Sequence, residues 1–193
     1  MSDVILGQDQ TGKYVGAAAD GDTLAVSTSG FRPTYRYTAV DITPVATATD
    51  VLTLTGSATK TIRVTKVTIM GASTASSIYD AYLVKRSAAN TGGTLTNPTA
   101  SSADSTDATA AGVLTLYTAN PSALGAGIVV EASKVYLGTA AITSPTVTYT
   151  WGTRGDKAPI LRAGESLAIN FNGAAVPAGA SLYMTFEWTE DVM

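Results

Sequence analysis

The stretch SLYMTFEWTEDVM, residues 181–193, alternates without a slip: Leu182, Met184, Phe186 and Trp188 share one parity, and Tyr183, Thr185, Glu187 and Thr189 the other. A strand turns successive side chains to opposite faces, so this pattern predicts a half-buried β-strand whose inner wall is four large apolar residues. Two shorter stretches read the same way. VTYTW (147–151) aligns Val147, Tyr149 and Trp151, and SLAINF (166–171) aligns Leu167, Ile169 and Phe171. In TIRVTKVTIM (61–70), Ile62 and Val64 sit on one parity but Val67 and Ile69 on the other. One extra residue near Thr65 and Lys66, a β-bulge, restores a single apolar face. SSIYDAYLVKR (76–86) carries apolar residues on both parities, which predicts a central strand covered on both sides, and VLTLYTA (113–119) adds another strand.

No segment shows a sustained helical period, and about eight strand candidates recur at the spacing of sandwiches and barrels. The chain therefore reads as all-β: an antiparallel β-sandwich, jelly-roll-like, with an immunoglobulin-like sandwich as the other arrangement. Its 193 residues, 45% of them hydrophobic, suffice for one core that buries roughly 70% of the unfolded surface. The expected division is an extended N-terminal arm over 1–30 and a single sandwich domain over 31–193. The arm is rich in Gly, Ala and Asp, and it either frays or docks on a neighbouring subunit. Residues 87–112, SAANTGGTLTNPTASSADSTDATAAG, predict a long exposed loop or flap with room for a short helix. NGAAVPAGA (172–180) predicts a short connection between neighbouring antiparallel strands.

The chain has no cysteine and no histidine. That removes disulfides, zinc sites of the usual kind, thiol nucleophiles and histidine-based triads together. Net charge is -3 and no run of Lys or Arg is present, so nucleic acid is not an expected partner. No run of about 18 apolar residues suggests a membrane span, and MSDVILGQDQ lacks the marks of a signal peptide, so synthesis in a cytosol is expected.

Several short motifs resemble chemistry. GQDQTGK (7–13) matches a phosphate-binding loop up to the lysine, but Tyr14 stands where a magnesium-ligating Ser or Thr is required. Carboxylates cluster at Asp20 with Asp22, Asp104 with Asp107, and Glu187 with Glu190 and Asp191; the first two pairs lie in Gly-, Ser- and Thr-rich turns, where Asp bonds nearby backbone amides. Arg154-Gly155-Asp156 is the cell-adhesion tripeptide in an ordinary turn setting. Tyr149, Trp151, Phe171, Phe186 and Trp188 read as core residues before a sugar platform. No catalytic, cofactor-binding or metal-binding residue is assigned, no cofactor is expected, and the chain reads as a non-enzyme.

Particular phrases carry a resemblance. LRAGESLAINFNGAAVPAGASLYMTFEWTED, SATKTIRVTKVTIMG, YLVKRSAANTGGT and DSTDATAAGVLTLYTANP, within about residues 55–191, resemble small virion proteins of tailed bacteriophages. The resemblance brings no catalytic residue. It implies a head decoration, or cement, protein that binds the major capsid protein on the outer shell, braces adjacent capsomers and forms a homotrimer. Such a protein is made in the bacterial host cytoplasm and resides on the virion. A receptor- or glycan-binding module of a fibre or tail, using loops 87–112 and 152–158, is the competing expectation.

Overall fold

The computed structural model describes residues 7–8, 14–15, 32–43, 49–139, 144–152, 156–171 and 179–192. It divides into two units, 1–32 and 33–193. In the first, β1 (Gly7–Gln8) pairs antiparallel with β2 (Tyr14–Val15); the rest of the expected arm lies outside the described residues.

The second unit is an all-β sandwich, and the described residues include no helix. Its strands are β3 (Thr34–Ile42), β4 (Thr49–Thr55), β5 (Lys60–Ala72), β6 (Ser77–Arg86), β7 (Thr94–Thr96), β8 (Ser101–Ser102), β9 (Val113–Ala119), β10 (Gly127–Leu137), β11 (Val147–Thr150), β12 (Ile160–Leu161), β13 (Ser166–Phe171) and β14 (Ser181–Val192). One sheet runs β10-β6-β13-β4-β9-β7 and the other β11-β5-β14-β3-β8, with β12 beside β5. All of these strand pairs are antiparallel.

The alternating wall of β14 faces the core, where Leu182, Met184, Phe186 and Trp188 are fully buried. The Trp188 ring stacks on Tyr35, centroids 5.8 Å apart, and Tyr79 meets Phe171 edge to face at 6.4 Å. The bulge in β5 lies where alternation breaks. Glu187 pairs with Lys66 and Trp188 with Val64, so Thr65 is the extra residue and Ile62, Val64, Val67 and Ile69 are all buried. The Thr65 hydroxyl donates to the Glu187 carbonyl at 3.1 Å, which holds the bulge closed.

Three sequence readings need correction. β13 is buried on both faces, not one, since Ala168 and Asn170 are buried along with Leu167, Ile169 and Phe171. β6 does lie inside its sheet, but Ile78 on its outward face is exposed, so its cover is partial. The segment 172–180 does not join neighbouring strands, because β13 pairs with β4 and β6 whereas β14 pairs with β3 and β5 in the other sheet. Turn residues mark a change of direction, not the sheet to which the chain returns.

Deleting the Trp188 ring removes the largest fully buried side chain of the core. Trp188→Ala is expected to lose about 3–5 kcal/mol in urea unfolding; a variant melting within about two degrees of the parent would be incompatible with this packing.

Candidate functional site

The expected flap is part of a longer excursion. β6 and β10 are antiparallel neighbours, with Arg86 opposite Gly127, so residues 87–126 leave and re-enter the same end of one strand pair. The two legs run side by side: Ser87 N donates to Ala126 O at 2.8 Å, Thr91 N to Ala123 O at 3.0 Å and Ser122 N to Thr91 O at 2.9 Å. They approach so closely that a Cβ on Gly125 would lie 2.0 Å from the Ala88 carbonyl oxygen. Beyond the legs, β7 adds to β9 in one sheet and β8 adds to β3 in the other. The excursion thus clasps one edge of the sandwich. The short helix allowed by the sequence does not form, and this segment is two short strands with exposed turns.

A buried charge pair anchors the legs. Asp50 opposes Asn170 on the face of β4 and β13 that turns away from the core. Its carboxylate receives Arg86 Nε at 2.7 Å and Nη2 at 2.6 Å, Asn170 Nδ2 at 2.7 Å and Asn90 Nδ2 at 2.9 Å. Arg86 Nη1 donates to Gly125 O at 2.8 Å, and Gly125 N donates to Asn90 Oδ1 at 2.9 Å. Asp50 is wholly buried and Arg86 nearly so. A buried ion pair is tolerable only when such geometry satisfies the remaining donors and acceptors, and this one joins β4, β6, β13 and both legs.

A second carboxylate anchors the far end. Glu190 lies on the parity of Trp188 and is buried. Its Oε1 accepts from Gly112 N at 2.9 Å and Trp188 Nε1 at 3.0 Å, and Ala111 N lies 3.0 Å from both oxygens. The Tyr35 hydroxyl donates to Ala108 O at 2.7 Å. Burial, then the charges of Glu190 and Asp107, push the Tyr35 phenol above its usual pKa, so it stays a proton donor in this contact.

The sequence-selected carboxylates have separate duties. Asp104 Oδ1 accepts from Thr106 N at 2.8 Å and Oγ1 at 2.7 Å, the turn chemistry its setting predicts. Those bonds hold its carboxyl below the usual range. Ser102 Oγ lies 3.3 Å from Asp107 Oδ2. Glu187 faces outward and pairs with Arg36, while Asp191 pairs with Arg63 at 2.8 Å. On β14, then, three nearby carboxylates serve three surroundings and do not converge. Asp20, Asp22, Arg154 and Gly155 lie outside the described residues; Asp156 is exposed and accepts from Gly152 N at 3.2 Å. Tyr14–Val15 form a strand where a phosphate-binding loop would start its helix. Phe171, Phe186 and Trp188 are core residues, and Tyr149 and Trp151 stack at 6.2 Å while packing on the core's rim.

Asp50, Arg86, Asn90 and Asn170 were not singled out by sequence reasoning. The usable signal was Asn170, a polar residue beside three core residues in SLAINF.

Asp50→Ala strands the Arg86 charge and is expected to cost about 3–5 kcal/mol in guanidinium unfolding, far more than replacing both partners with apolar residues of matched volume. Glu187→Ala, at an exposed pair, should stay within about 0.5 kcal/mol. The Arg162 amide, 2.9 Å from Glu165 Oε2, and then Lys85 at 3.0 Å hold the Glu165 carboxyl below its usual pKa. The unfolded chain therefore binds more protons between the two pKa values. The stability from Glu165 is full above the unfolded value of about 4.3 and declines as pH falls through the folded one. Glu165→Gln should flatten the stability profile as pH falls below about 5. No protein-family model matches the chain, and no curated protein or solved structure does either.

Proposed function

We propose that this chain is a structural protein of a tailed-bacteriophage virion, a head decoration protein that binds the major capsid protein on the outer shell and braces adjacent capsomers as a homotrimer. It has no enzymatic role in this reading. It is made in the bacterial host cytoplasm and acts at the capsid surface.

The observation that carries the proposal is the asymmetry of the sandwich edges. The clasp blunts one side with β7 and β8, strands of 3 and 2 residues. On the other side β10 ends its sheet with 11 residues, and Ile128 is 69% exposed, Val129 53%, Tyr136 48% and the adjacent Ile78 55%. Monomeric proteins scatter exposed apolar groups, and although β10 carries a bulge between Val129 and Glu131, its cluster of exposed apolar residues at a sheet end supports a role in assembly. Strand order supports the jelly-roll form of the sandwich. Without the excursion, the sheets run β3-β14-β5-β11 and β4-β13-β6-β10, with successive strands alternating between sheets except for the β6–β10 pair, as in two Greek keys.

Light scattering on the eluted full chain should give a trimer mass, and Val129→Lys should shift it toward monomer. The protein should also co-sediment with heads from the encoding phage grown without this gene. A monomer that fails to pellet with those heads would overturn the proposal.

A further inference from the structure

On the outward face of the β11-β5-β14-β3 sheet lies an open groove of about 480 Å³. Met70 and Ala72 of β5 form its floor; Ser144 and Thr146 stand on one bank, Ser181 and Tyr183 of β14 on the other. Met70 and Tyr183 are both exposed. Beside the second bank is Asp41, whose Oδ1 accepts from Ser181 Oγ at 2.9 Å and from the Tyr183 hydroxyl at 3.0 Å. Among the described residues its Oδ2 accepts no hydrogen bond.

Asp41 has φ 53°, the one described non-glycine residue with positive φ. It occupies the irregularity in β3 where the register with β14 shifts between Leu182 and Met184. An L-residue is held in the left-handed region at some cost, and such outliers concentrate where a side chain must be aimed. Here the residue so held is an exposed aspartate whose Oδ1 takes both hydroxyl bonds of the second bank.

From this arrangement we infer that the groove binds a neutral pyranose sugar, with a C–H face of the ring on Met70 and the Tyr183 ring, and with sugar hydroxyls bonded to Asp41 Oδ2 and the bank hydroxyls. The chemistry selects this class. An apolar floor between hydroxyl banks matches a molecule that is apolar on its faces and polar around its rim. A lone carboxylate disfavours anions and is too few ligands for a hard cation. Ser144 Oγ accepts from Gly138 N at 2.8 Å, leaving its proton for a ligand oxygen. This inference does not rest on the virion reading, since the groove residues are not the exposed apolar residues of the β10 edge and would bind sugar in either case.

The test is an amide NMR titration of the isotope-labelled full chain with the methyl glycosides of glucose, galactose and N-acetylglucosamine, with sialic acid as the anionic comparison. Saturable shifts are expected at Ala72, Thr146, Ser181 and Tyr183, with Kd on the order of 1 mM. Tyr183→Ala should weaken binding about tenfold or more by removing the ring. Asp41→Gly removes the acceptor while suiting the positive φ, so it should fold and still bind several-fold more weakly. Leu95→Ala, on β7 and outside the groove, should leave the titration unchanged. The inference is overturned if no glycoside moves the groove amides at about 50 mM, well above that Kd, if shifts persist undiminished in both groove variants, or if sialic acid binds more tightly than the neutral sugars.

Discussion

Asp50 and Arg86 hold opposite charges away from water on the outward side of a sheet, a place where neither would stay alone. Burial strips each of hydration, and the arrangement stands because every strong demand is met: four donors on Asp50 and a carbonyl on Arg86. The partners come from β4, β6, β13 and both legs of the excursion. Their mutual satisfaction ties segments 120 residues apart in sequence, as Asn170 is from Asp50. It also accounts for the double-sided burial of β4 and β13, since the legs that complete this network lie over their outward face.

At the opposite end of the excursion the same logic operates with one carboxylate. Glu190 continues the apolar parity of β14 beyond Trp188, where the sequence pattern would ask for another hydrophobic residue. Instead it collects the backbone amides of Ala111 and Gly112 and the indole of Trp188, groups that would otherwise be buried without partners. Packing and polar closure meet in one place: the ring that fills the core also donates to the group that seats the clasp.

With no disulfide to close it, the sandwich is secured by these two anchors, and they secure only one side. The clasp covers the edge next to β3 and β4, and among the described residues β10 stands at the other end of its sheet. A threonine row crosses the outward side of the other sheet: Thr38, Thr185, Thr68 and Thr148 stand in register across four strands, with Thr38 and Thr185 hydroxyls 2.9 Å apart and Thr68 itself buried. Their hydroxyls suit either solvent or a close neighbour, and no charge must be desolvated along that row.

The local period of the chain was legible wherever one face met the core and the other met water. Alternation in 181–189 located the inner wall, and the parity break in 61–70 located the bulge at Thr65, because both follow from the two-residue repeat of a strand. The same rule misread 166–171 as half-buried, since a second cover supplied by distant residues leaves no mark on local period. Nor could it tell Asp50 from a turn aspartate, or Glu190 from its outward neighbours Glu187 and Asp191, for a carboxylate's role depends on which donors the fold brings to it. The sequence by itself determined the all-β class, the core-facing residues and the lack of disulfides, because these depend on side-chain type and spacing alone. Only tertiary structure decided the sheet in which each strand pairs, the path of the clasp, the strands that end each described sheet and the positive φ of Asp41, because these arise from contacts between residues far apart in the chain.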